Sequence, residues 1–141
     1  MAHALTLARM PASWRGSLRV LSAGTGAFEG LPASAHARSV LGEIGVDLSS
    51  HRSRLLTAKM IEEADLIVAM TKGHRDEILE SVPRAQGKVI VLGELDPARA
   101  DSDMADPMGG DEEDYRRARR ELERLVDLLI DYVSVKFGLR R

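Results

Sequence analysis

The sequence predicts an α/β domain of three layers, α/β/α, built around a parallel sheet. Two observations carry that expectation. Residues 65–70 and 88–92 are short, near-continuously apolar runs, the composition of strands covered on both faces. Between and around them, apolar residues recur at three and four, the period of helices packed on a sheet. Strands that alternate with helices are joined by right-handed crossovers.

The elements follow in order. Residues 1–10 read as a helix stopped by Pro11, which cannot continue it. Residues 18–23 are apolar and β-branched enough for a strand, running into the turn Gly24-Thr25-Gly26. Ala33, Ala37, Val40, Leu41 and Ile44 keep helical spacing, with Gly45 at the expected end. Thr57 opens a short helix that ends near Glu62-Glu63 and leads into 65–70. Ile78, Leu79 and Val82 mark a helix over 72–82, and 88–92 is a second buried strand. A polar loop from about 94 to 110 precedes the strongest helix, 112–133, where Tyr115, Ala118, Leu122, Leu125, Val126, Leu129 and Val133 share one face. The run Arg116-Arg117-Ala118-Arg119-Arg120-Glu121 reads as its solvent side. A doubly wound unit normally opens on a strand whose C-terminal loop holds the ligand. Here the first element is a helix.

Length and composition bound the function. The 141 residues suit one domain, 1–141, large enough for a real core. Hydrophobic residues make up 44% and charged residues 30%, with a net charge of −2, so nucleic acid and anionic membranes are not expected partners. The apolar runs are too short to span a bilayer, and no basic-then-apolar leader opens the chain, which makes the cytoplasm the expected location. Cysteine is absent, which excludes disulfides, thiolate metal sites and a thiol nucleophile within these residues. His3, His36, His51 and His74 lack ligand spacing, so neither a metal nor another cofactor is expected.

Three segments could carry chemistry. Asp106-Pro107-Met108-Gly109-Gly110 could present a carboxylate over a cleft, or be a solvated turn with Asp111 capping the last helix. Ser22-Ala23-Gly24-Thr25-Gly26-Ala27-Phe28 offers close backbone approach and an aromatic wall, though packing alone would explain Phe28. Asp47-Leu48-Ser49-Ser50-His51-Arg52-Ser53-Arg54 could hold an anion, or His51 could simply brace a loop.

The order of these segments is more telling than any one of them. Ser-Ala-Gly-Thr, then Gly-Val-Asp-Leu-Ser-Ser-His-Arg-Ser-Arg-Leu-Leu-Thr, then Glu-Glu-Ala-Asp-Leu-Ile-Val-Ala-Met-Thr, then Asp-Pro-x-Gly-Gly resembles the low-molecular-weight protein tyrosine phosphatases from Met1 to about Val133. The Gly-Gly form is similar to the bacterial branch, which includes arginine phosphatases and arsenate-reductase relatives. The resemblance implies four parallel strands in the order 2-1-3-4 and a phosphate loop, C-x5-R-[ST], after the first. It implies a phosphocysteine intermediate without a cofactor, acting on a phosphorylated protein or a small aryl phosphate. Asp106 takes the place of the general acid, held by Pro107. Phe28 and Met108 fall at the walls of the substrate cleft, and Ser22 and His51 where a polar network braces the phosphate loop.

The sequence departs from the family at its front. Met1-Ala2-His3-Ala4-Leu5 corresponds to the helix after the phosphate loop, so the first strand, the nucleophile and the clamping arginine are missing. Three readings stay open. In one, Met1 is an internal methionine of a phosphatase about a dozen residues longer. In another, the chain is a catalytically dead relative that binds a partner, with an oligomer or a strand-donating protein covering the exposed sheet edges. In the third, only the doubly wound fold is shared. In every case these residues alone are expected to be inactive, and they do not distinguish phosphotyrosine from phosphoarginine.

Overall fold

A computed structural model describes residues 1–26 and 28–141; Ala27, in the 22–30 turn, lies outside the described residues. The helices are α1 (Ala2–Arg9), α2 (Ala35–Gly42), α3 (Ala58–Glu63), α4 (Lys72–Ser81) and α5 (Glu112–Phe137), and the strands are β1 (Ile67–Ala69) and β2 (Val89–Val91). Short 3₁₀ turns occupy Ala12–Gly16, Pro83–Ala85 and Leu92–Leu95.

Local chemistry explains the helix starts. Ser34, Thr57 and Thr71 each accept a hydrogen bond from the backbone N–H three residues on, which satisfies a donor the helix leaves free. Asp111 caps α5 and Asp114 answers it, closing a capping box. The acids Glu112, Glu113 and Asp114 in the first turn also suit the positive end of the helix dipole.

β1 and β2 pair in parallel, Ile67 with Val89 and Ala69 with Val91. Their side chains alternate between two cores, as a strand's period of two requires. Val68, Met70 and Ile90 pack against the larger core with α1, α2 and α5, which holds Leu5, Val40, Leu41, Leu125 and Ile130. Ile67 and Val89 pack on the other face against Ile61 of α3 and Ile78 of α4. The sheet therefore lies between two helical layers, in the α/β class. Leu125 is fully buried in the larger core. Leu125→Ala should cost about 2–5 kcal/mol, read as a lower urea midpoint, because the cavity left behind closes only in part.

Three expectations need correction. The strand over 18–23 is absent. These residues are extended, with Leu18, Val20 and Ser22 half-buried and Arg19, Leu21 and Ala23 exposed, but among the described residues no backbone–backbone hydrogen bond engages 19–23. The alternation is that of a strand and the ladder is missing, since a strand is completed only by a partner beside it. Pairing begins at Gly24, whose N–H donates to Arg54 and whose carbonyl accepts from Leu56. Second, the 65–70 and 88–92 strands are half-buried rather than fully covered. Only Ala69, Val91 and Leu92 are enclosed within them. Among the described residues the sheet has two strands, so β1 has a strand partner there on one side only. Third, Arg119 is not on the solvent face of α5. It is buried, donating from Nη1 to the Val40 carbonyl and to Glu43, and thereby ties α5 to the end of α2. Arg116 grips the same carboxylate, and these hydrogen bonds and charges hold Glu43 below the ordinary carboxylate range. α5 also runs to Phe137, beyond the 133 expected.

Candidate active site

Asp106 lies on a loop that is fixed at both ends. Upstream, Met104 is buried and its N–H donates to the Met70 carbonyl at the end of β1 (3.0 Å). Asp103 accepts from the first N–H of α4, Lys72 (2.8 Å). Arg99 donates to the carbonyls of Asp101 (3.0 Å) and Asp103 (3.3 Å) and pairs with Glu121 of α5. Downstream stands the capped start of α5. Between these anchors the Gly110 N–H donates to the Pro107 carbonyl (2.9 Å), closing a turn with Gly109 at φ 83°, a left-handed backbone that glycine adopts without strain. The Asp106 carboxylate is exposed and accepts the Met108 N–H (3.0 Å), so the turn orients it. Gly93 fixes the loop's distance from the sheet. A Cβ there would stand 2.0 Å from the Ser102 carbonyl oxygen.

The front of the molecule gathers Ser22 and His51 around a residue that the sequence did not single out. His3 Nδ1 lies 2.9 Å from Ser22 Oγ, and the His3 and His51 rings meet edge to face with centroids 6.0 Å apart. His51 is half-buried, as a bracing residue would be, and its N–H closes onto the Leu48 carbonyl (3.2 Å). No spacing signal links positions 3, 22 and 51. The helical start of α1 brings His3 to the other two.

Both imidazoles are pushed below the ordinary histidine value, first by burial. For His3 the nearby His51, the Met1 amino group and Arg54 add to the effect, while a hydrogen bond with the Val20 backbone opposes it. For His51 the Met1 amino group and Arg52 add to burial. Folded-state values below the unfolded one mean that the unfolded chain takes up protons first. Stability should be fully present above about pH 6.5 and fall as pH drops through the depressed values. Urea midpoints at pH 7.5 and 5.5 should differ, and His3→Gln with His51→Gln should narrow the gap. A gap unchanged in the double variant would assign it to other groups.

Phe28 and Met108 are strongly exposed, at 77% and 79%. Among the described residues no hydrogen bond or ion pair joins Phe28 or the His3–Ser22–His51 group to the Asp106 loop. The structure thus shows the Asp106 loop and the His3–Ser22–His51 group separately. No cluster of three or more His, Asp or Glu side chains suited to a metal occurs among the described residues. Among the described residues no helix is long and apolar enough to cross a membrane.

Comparison with known proteins decides the family. The model of the low molecular weight phosphotyrosine protein phosphatases matches residues 1–137. The chain belongs to this family. It is 45% identical to a protein-arginine-phosphatase of Geobacillus stearothermophilus over 119 residues, 84% of this chain and 79% of the relative. It is 35% identical to EpsP of Ralstonia nicotianae, a probable low molecular weight protein-tyrosine-phosphatase, over 127 residues, 90% of this chain and 81% of the relative. The solved structure of YwlE arginine phosphatase from Geobacillus stearothermophilus superposes with a TM-score of 0.85 at 38% identity, covering 99% of this chain and 87% of that one. The fold class expected of the sequence is therefore the family's.

Proposed function

We propose that residues 1–141 form the acid-loop and bracing side of a protein phosphatase site that works through a phosphocysteine. The observation that carries this is the anchored loop around Asp106. A solvated turn has no need of a buried methionine, a helix-end carboxylate and an arginine tether on one side and a capping box on the other.

In the reaction proposed, a thiolate attacks phosphorus, forming S–P as the P–O or P–N bond to the substrate breaks. Asp106, protonated, gives its proton to the departing oxygen or nitrogen. Its carboxylate then takes a proton from water as that water attacks phosphorus, breaking S–P and releasing phosphate and the thiolate. Phe28 and Met108 would flank the substrate's side chain. Pro107 would fix the entry to the acid turn, and Ser22, His51 and His3 would brace the phosphate-binding backbone. The thiolate would come from outside the residues present here, because no cysteine is among them.

The substrate class is a phosphoprotein, as the names of the relatives support, with phosphotyrosine and phosphoarginine both compatible. Appending a strand and C-x5-R-[ST] loop ahead of α1, then comparing aryl phosphate with N-phosphoarginine, tests the reading. Turnover of either supports it, and none in a folded fusion that binds phosphate refutes it.

A second reading rests on the extended 19–23 backbone, which among the described residues makes no backbone–backbone hydrogen bond. Here the chain is a catalytically dead relative that binds a partner by accepting a strand at this edge. An apolar strand peptide should then protect the amides of 19–23 and of Val68 from exchange, the Ile67 N–H being already bonded to Lys88.

A further inference from the structure

The loops beside the His3–Ser22–His51 group carry an apolar ridge of which the chemistry above uses only Phe28. Leu31 is 51% exposed and Leu55 40%, next to the more exposed Phe28. Large apolar groups held out in water as a cluster mark a binding surface more often than chance exposure does. The ridge is built rather than loose. Ser53 Oγ donates to the Phe28 carbonyl, the Ser53 N–H donates to the Leu31 carbonyl (2.7 Å), the Leu31 N–H donates to Ser53 Oγ (3.0 Å), and Glu29 accepts the Leu55 N–H. Two bridges, Gly24 with Leu55 and Pro32 with Arg52, hold the two loops together. A surface already ordered loses little entropy when it binds.

Its charge is positive on balance. Arg52 and Arg54 are exposed on the same strap, and Arg19 on the outward face of the extended segment that leads into Gly24. None of the three makes an ion pair among the described residues, whereas the arginines of α5 are mostly matched to acids. Glu29 in the same loops keeps its negative charge while it accepts the Leu55 N–H, so the three arginines outnumber it.

We infer that Phe28, Leu31 and Leu55, with Arg52 and Arg54, form a docking ridge for the phosphoprotein substrate, taking an apolar side chain flanked by acidic residues beside the phosphorylated one. The inference rests on the phosphatase reading above and names what that site selects. The ridge supplies area and the arginines supply orientation and encounter rate.

The test uses the chain as it stands and unphosphorylated peptides, so that it does not depend on the nucleophile. An acidic peptide with a central Leu-Phe pair should bind and shift the amide signals of residues 28–31 and 52–56. Leu31→Ser with Leu55→Ser should weaken binding about tenfold or more, the effect of losing central apolar anchors. Arg52→Gln with Arg54→Gln should weaken it and flatten its salt dependence. Asp106→Asn should leave it unchanged, which separates docking from catalysis. The inference is overturned if a lysine-flanked peptide binds as well, if the shifts map elsewhere, or if no peptide binds a variant-insensitive, folded chain. It is also overturned if vesicles rich in anionic lipid bind with the same dependence on Leu31 and Leu55 while peptides do not.

Discussion

Asp106→Asn should lower the turnover of a cysteine-bearing fusion about 10²–10⁴-fold, the range for removing a general acid. The loss should be greatest for phenols of high pKa, which need the proton, and smallest for activated phenols, which leave without it. Substrate affinity should change little, because the carboxylate acts on the leaving group rather than on the bound phosphate. The structure motivates this through orientation. Asp106 is exposed, its carboxylate is turned by the Met108 N–H, and the turn that holds it closes between Pro107 and Gly110. A uniform loss across all leaving groups would remove Asp106 from the role.

Gly93→Ala should disturb the same loop from beneath. The new methyl would be placed 2.0 Å from the Ser102 carbonyl oxygen and 2.7 Å from its carbon, both backbone, so no side chain can simply swing aside. Either the 3₁₀ turn Leu92–Leu95 or the loop must move, at a cost of about 1–3 kcal/mol. The loop is the softer of the two, because Leu92 is locked in the core while Ser102 precedes a surface turn. The expected signature is faster amide exchange at Met104 and Lys72, whose N–H groups bond Met70 and Asp103, with a lower urea midpoint. In the fusion, turnover should fall with substrate affinity held. Unchanged exchange at both amides would mean that the close approach does not position the loop.

Much of this architecture was readable in the residues. Helix starts at Thr57 and Asp111 are side-chain chemistry acting over three residues, and the face of α5 is a local period. What escaped is non-local. The 18–23 segment carries a strand's alternation, yet whether it forms a ladder depends on what lies beside it, and no local pattern encodes that. Arg119 looks like its neighbours in a charged run, and only the approach of α2 makes it a buried tether. In the site, Asp106, Phe28, Met108, Pro107, Ser22 and His51 were marked by the resemblance to a family. His3 was not, because it reaches Ser22 and His51 through space alone. Arg99 and Asp103 looked like ordinary loop polarity, and their role as anchors of the acid loop emerges only with the fold.

The most direct measurement is hydrolysis of an aryl phosphate by purified residues 1–141 beside the same residues fused behind a strand and C-x5-R-[ST] loop. Turnover by the fusion alone, abolished by vanadate and by replacing its cysteine, is the expected result. Vanadate-sensitive turnover by the cysteine-free chain itself, or a folded, phosphate-binding fusion that stays silent, would contradict the assignment of these residues to one side of a phosphocysteine site.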